Sequence, residues 1–229
     1  MINLTHLWSI VFFVFILFAG YLAGSIPSGY LAGRWIKGID LRNYGSGTVS
    51  GSMVWEHVAY WAVVPVGLFD IFKGALPTWL GLRLGLGEVA AMLCGFAAII
   101  GHNWPVFLNF HGGRGFSPFL GELLVLFPWG VPIILAGLAI GNVLRSPAIP
   151  IFVVMSLPMV SPSLNGSPIV LWLSAGMTII TIVKRLEANR RPLPADPIER
   201  RNVIIRRILL DRDIQDHKSW ILREPNQHN

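Results

Sequence analysis

Gly112-Gly113-Arg114-Gly115, set directly before an apolar run that opens at Phe116, is the segment of this chain best suited to chemistry on an anion. Three glycines free the backbone to wrap N–H groups around a phosphate, and a guanidinium among them binds two oxygens in a planar fork. A flexible turn with one basic residue is the plain alternative. Just upstream, Gly101-His102-Asn103-Trp104-Pro105 closes the preceding apolar run. His102 there is a candidate proton carrier, as is His57 beside Glu56, although a histidine at a membrane edge more often serves as a hydrogen-bonded structural residue. A second polar stretch runs from Asp40 to Thr48 through Gly45-Ser46-Gly47, offering a hydroxyl and free amides where a helix opens. Such a helix start stabilises an anion, and a simple capped loop accounts for it equally. The third group is Asp70-Ile71-Phe72-Lys73-Gly74, whose i,i+3 spacing puts a carboxylate and an ammonium on one helix face. Charges inside an apolar body are costly unless paired, so Asp70 and Lys73 are expected to neutralise each other structurally.

The elements that must position these groups belong in a bilayer. Of 229 residues, 53% are hydrophobic and only 13% charged, with nine tryptophans and a mean hydropathy of +0.59. A water-soluble domain of ordinary composition is excluded. The net charge of +6 does not indicate nucleic acid, because residues 1–183 hold seven basic and five acidic side chains while residues 184–229 hold eleven and seven. Basicity concentrated in a tail after an apolar body is the pattern of an integral membrane protein. The single cysteine, Cys94, excludes an intramolecular disulfide framework and cannot build a zinc site alone.

Apolar runs at about 7–31, 53–69, 89–107, 116–127, 131–144, 149–160 and 169–183 give an all-α protein with seven passes. Three runs are shorter than the roughly 20 residues a spanning helix needs, so five passes is the alternative count. With the N-terminus outside, Arg34, Lys37, Arg42, Arg114, Arg145 and the basic tail all fall on the cytoplasmic side, which sets the orientation as N-out, C-in. After residue 188 the proline-rich stretch 190–197 ends the membrane body. Residues 198–214 then alternate Arg200-Arg201 and Arg206-Arg207 with apolar groups, which predicts an amphipathic helix on the anionic inner leaflet. An ordinary solvated helix or disordered tail is the competing reading.

Taken in order, Gly24-Ser25-Ile26-Pro27 with Gly29-Tyr30, Gly45-Ser46-Gly47, Asp70-x-x-Lys73-Gly74 and Gly101-His102-x-x-Pro105-Val106-Phe107 leading into Gly112-Gly113-Arg114-Gly115 resemble the bacterial acyl-phosphate:glycerol-3-phosphate acyltransferase family, PlsY. The resemblance spans about residues 15–190 and implies a seven-helix enzyme of the bacterial inner membrane with its active-site loops in the cytoplasm. It implies transfer of a fatty acyl group from acyl phosphate to the 1-hydroxyl of glycerol 3-phosphate, giving lysophosphatidic acid with no metal, other cofactor or acyl-CoA. Ser46 matches the family's functional serine, and Arg114 stands where the glycine-rich loop has a phosphate-binding lysine. Ser146 falls near another phosphate-contacting serine.

The carry-over is uneven. After Gly47 the family pattern Asn-x-Gly-Ala-Thr-Asn becomes Thr48-Val49-Ser50-Gly51-Ser52-Met53, and the family's arginine falls on Glu56. The stretch Arg-His-Arg-Glu-Asn meets Lys184-Arg185-Leu186-Glu187-Ala188, so its histidine falls on Arg185 and its asparagine on Ala188. Arg185 is the expected replacement for the positive charge absent at Glu56. On this reading phosphate is held by Gly112, Gly113, Arg114, Gly115, Arg185 and Ser146, with Ser46 and nearby amides stabilising charge on the carbonyl oxygen. Two competitors stay open: a relative that acylates another polar acceptor, and a silent lipid-binding or scaffold protein that keeps the fold.

Overall fold

The computed structural model describes residues 4–224, and among them every regular element is a helix. Helix α1 (Leu4–Gly24) carries no charged residue and is apolar all round, as a lipid-facing helix must be. Leu7, Trp8, Phe15 and Phe18 stay exposed on it. Its glycines face α5 (Glu88–Asn103): a Cβ on Gly24 would lie 2.1 Å from the Ala98 carbonyl oxygen, so the two backbones touch directly.

Short helices α2 (Ser28–Ala32) and α3 (Gly51–His57) build the polar loops between α1 and α4 (Val63–Arg83). The run expected to cross as 53–69 is broken after His57, and the membrane helix instead extends over Tyr60–Arg83. The sequence reading ended this span at Asp70 because a charge looked like a boundary. Asp70 and Lys73 are both buried on α4 and paired, so the helix continues through them.

The second half is α6 (Phe116–Leu126), α7 (Gly130–Val143), α8 (Ile149–Val160) and α9 (Ile169–Glu187). Among the described residues four helical stretches are long and apolar enough to span a membrane, Leu7–Lys37, Tyr60–Arg83, Glu88–Leu108 and Ile169–Arg190. Helices α6, α7 and α8 are the three short apolar ones. Phe96 and Ile99 of α5, Phe119 and Leu123 of α6, Ile134 of α7, Leu157 of α8 and Leu173 and Met177 of α9 form a continuous buried core. That core fixes the ends of α5, α6 and α9 relative to one another, and the polar loops hang from those ends.

The tail folds back on this body. Asp196 caps α10 (Pro197–Leu210) by accepting a hydrogen bond from the Glu199 amide at 2.7 Å, and Pro197 occupies the first turn, where its missing N–H is harmless. The helix ends four residues before the expected Ile214, at Asp211 with φ of +54°. Val203 and Arg207 are buried, Arg207 donating to the Leu186 carbonyl at 2.9 Å and pairing with Asp213 at 2.6 Å. A last short helix, α11 (His217–Ile221), brings Trp220 back into the body.

Candidate active site

A cavity of about 940 Å³ opens where the ends of α4, α5, α6 and α9 meet the loops. Asp70 and His102 lie in its wall, as do Arg114, Ser146 and Arg185. Ser46 faces an adjoining cavity of about 230 Å³, whose wall also includes Arg114. Residues far apart in sequence thus converge on one polar region.

Arg114 is set by the left-handed Gly115, φ +80°, which starts α6. Its Nη1 donates to the Lys184 carbonyl at 3.0 Å, while Nε lies 3.0 Å from Asp211 Oδ2 and Nη2 2.7 Å from Asp211 Oδ1. The cavity wall continues from Gly115 to Phe116 and Ser117, the first turn of α6, where backbone N–H groups have no intrahelical partner. Gly112 and Gly113 sit elsewhere than expected. The Gly113 amide donates to the His102 carbonyl at 3.0 Å, and a Cβ on Gly113 would meet His102 Nε2 at 2.1 Å. These two glycines let the loop lie flat against the end of α5, and the residues of this segment that line the cavity are Arg114, Gly115 and the start of α6. Pro105 braces the same loop, since the Phe110 amide donates to its carbonyl at 2.9 Å. Gly101 backs onto α1, with a Cβ there only 2.2 Å from the Tyr21 carbonyl oxygen.

Arg185 is 4% exposed and lines the larger cavity, as does Glu56, so the two positions face one shared space. Its Nη1 donates to the Ile208 carbonyl and its Nη2 to the Pro147 carbonyl, both at 2.6 Å. Ser146 is held in the turn after α7, its amide donating to the Gly141 carbonyl at 2.8 Å. The Ser46 hydroxyl stands at the head of a chain of hydroxyls: 2.8 Å to Thr48, then 2.9 Å to Ser50 and 3.0 Å to Ser52.

Behind the cavity, Lys73 Nζ lies 2.6 Å from Asp70 Oδ1 and donates to the Ile26 carbonyl at 2.7 Å. Ser28 donates to the same carboxylate oxygen at 2.6 Å, and His102 Nδ1 lies 3.7 Å from it. The pair therefore also ties the Ile26-Pro27-Ser28 turn to α4 and α5.

Three functional contributions escaped the sequence reading. Asn189, one residue beyond Ala188, is 8% exposed and donates to the Gly47 carbonyl at 2.7 Å and, longer, to the Gly112 carbonyl at 3.4 Å. It joins the serine loop to the glycine loop because Ala188, Asn189 and Arg190 all take positive φ after α9. The signal available was an Asn just past a predicted helix end, a residue tolerant of that conformation. Arg191 and Arg223 clamp the Gly45 carbonyl at 3.0 and 2.7 Å and both lie over the Trp220 ring, at 4.3 and 4.5 Å from its centroid. Burial and then the charge of Arg223 push the Arg191 guanidinium down to about 10. Asp211 is the third, and no local pattern marks it.

Comparison with known proteins decides what this region belongs to. Residues 14–193 match the family described as Glycerol-3-phosphate acyltransferase. The chain belongs to that family. A relative named Glycerol-3-phosphate acyltransferase 4, from Dehalococcoides mccartyi, is 37% identical over 223 residues, covering 94% of this chain and 96% of its own. A Glycerol-3-phosphate acyltransferase of Parasynechococcus marenigrum is 40% identical over 168 residues, with 72% and 74% covered. Among solved structures, PlsY, an integral membrane glycerol 3-phosphate acyltransferase in its glycerol 3-phosphate form, superposes with a TM-score of 0.68 at 27% identity over 78% of this chain and 90% of its own. The glycerol-3-phosphate acyltransferase fold thus accounts for the membrane body; α10 and α11 lie beyond residues 14–193, although the Dehalococcoides relative matches into the tail. The chain is a multi-pass membrane protein.

Proposed function

We propose that this chain acylates the 1-hydroxyl of glycerol 3-phosphate from acyl phosphate, releasing lysophosphatidic acid and inorganic phosphate. The observation that carries the reading is the convergence of Arg114, Ser146 and the first turn of α6 on one cavity, with Arg114 shared by the adjoining cavity that Ser46 lines. Arg114 and the α6 amides bind the acceptor phosphate as a charge-assisted fork at a helix start. The hydroxyl oxygen attacks the acyl carbonyl carbon, and the ester C–O bond forms. Ser46 donates to the oxygen on which charge develops. The bond from that carbon to the phosphate oxygen breaks, and the departing phosphate takes the hydroxyl proton. Among the described residues the Ser46 hydroxyl bonds to Thr48 and to no histidine, and the direct attack above needs no acyl-serine step. Neither a metal nor another cofactor enters the sequence of steps.

Within this reading the membrane body is residues 1–188, crossing the bacterial inner membrane seven times with the N-terminus outside and the loops and tail in the cytoplasm. Residues 189–229 form the tail, and the exposed Ile198, Ile205 and Leu209 of α10 offer an apolar strip to the inner leaflet. The basic residues of the loops and tail support that orientation. A donor assay on purified protein in lipid nanodiscs tests the chemistry. Labelled glycerol 3-phosphate is expected to become lysophosphatidic acid with palmitoyl phosphate and not with palmitoyl-CoA. Product from palmitoyl-CoA alone would overturn the donor assignment.

A further inference from the structure

Two cations of the proposed phosphate site, from different elements, converge on one carboxylate that the tail supplies. Arg114 meets Asp211 through both Nε and Nη2, at 3.0 and 2.7 Å, the same two-pronged grip a phosphate would receive. Arg185 Nε lies 3.8 Å from Asp211 Oδ1. The arrangement is incomplete: buried Arg185 Nε and Asp211 Oδ1 both lack a hydrogen-bond partner of good geometry. Only the prong from Arg114 Nε to Asp211 Oδ2 is aligned as a hydrogen bond, so the planar carboxylate completes neither Arg114 nor Arg185, whereas a tetrahedral phosphate has an oxygen for each. Asp211 lies at the end of α10, in a turn between two helices, and retains 24% side-chain exposure. Neighbouring Asp213 is already committed to Arg207.

We propose that Asp211 determines acceptor specificity as an internal anion, occupying the arginines until a phosphate dianion displaces it. The inference rests on the reading of Arg114 as the acceptor-phosphate ligand. A singly charged or neutral acceptor gains too little at the arginines to release Asp211, and a dianion gains enough. The tail beyond the family-matched segment is thereby a built-in competitor, released only by the correct class of substrate.

The test compares full-length wild type, Asp211→Asn and Asp211→Glu in nanodiscs. Asp211→Asn is expected to lower the KM for glycerol 3-phosphate at least about five-fold, with Asp211→Glu returning it towards wild type. An unchanged or raised KM in Asp211→Asn overturns the proposal. Calorimetry with inorganic phosphate separates the two readings: tighter phosphate binding by Asp211→Asn supports the competitor role even if no acyl transfer is found, and no difference from wild type overturns it. Should Asp211→Asn fail to fold, hydrogen exchange on the wild type decides. Saturating inorganic phosphate is expected to speed exchange in residues 208–223, and unchanged or slower exchange there contradicts displacement.

Discussion

The protein holds two buried clusters of charge that are built from similar parts and closed differently. Around Asp70 the ammonium of Lys73, the Ser28 hydroxyl and His102 come from α4, the start of α2 and α5, all within the membrane body. Lys73 has a backbone carbonyl as well as its carboxylate, so its burial is compensated on several sides. Around Asp211 the arginines come from the body and the carboxylate from the tail, 97 residues away from Arg114 in sequence. Here a buried donor and a buried acceptor stay unmatched. A charge cluster that completes itself within one rigid unit holds a fold together, whereas one closed by a separable segment can open for a ligand.

Breaking the first cluster should have the largest effect. Lys73→Met leaves Asp70 buried without its ammonium and is expected to cost about 3 kcal/mol or more of stability, read as a fall in detergent-melt Tm. Asp70→Asn/Lys73→Met should recover much of that loss, and equal losses in single and double variants would mean that pairing is not what Lys73 contributes. At the second cluster, Arg114→Ala is expected to weaken acceptor binding by about 2 kcal/mol, seen as a roughly 30-fold rise in KM with little change in Tm. An unchanged KM would remove Arg114 from the phosphate site.

Asn189→Ala tests the link between the serine and glycine loops. Loss of its buried hydrogen bonds is expected to lower kcat several-fold and stability by about 1–3 kcal/mol, and intact kcat would show that the loops hold position without it.

The smallest expected effect concerns Asp40, which sits before the serine loop. Although burial raises its pKa, the hydrogen bonds and charge of Arg42 win and hold the carboxyl below its usual value. A depressed folded pKa gives stability that is present above the ordinary Asp value near 4 and lost as pH falls through the folded value. Asp40→Asn should therefore flatten the acid limb of a Tm–pH profile below about pH 4, and an unaltered limb would contradict the assignment.

Much of the first cluster was legible, because Asp70 and Lys73 announce themselves by spacing on a single helix. The pairing was expected, yet the apolar run was bounded at 53–69, because hydropathy alone stops at the first charge while the paired helix runs on to Arg83. Gly101, Arg114 and Ser46 could be picked out by residue type beside helix ends. The roles of Gly112 and Gly113 could not, because both pack tightly against the end of α5 and the Gly113 amide is taken up by the His102 carbonyl. The second cluster was hidden for the same reason at longer range: Asp211, in the expected amphipathic stretch, reads as one more tail charge until the chain folds back over α9. Helix periodicity and local spacing carry no information about which carboxylate reaches which arginine across the molecule.

The most direct test is lysophosphatidic acid formation from palmitoyl phosphate and rising concentrations of labelled glycerol 3-phosphate, measured in nanodiscs for wild type beside Arg114→Ala. Wild type is expected to give saturable product, and the variant to need roughly 30-fold more acceptor for half its maximal rate. No product from folded wild type, or product formation indifferent to Arg114, would contradict the assignment of this cavity as the acyl-transfer site.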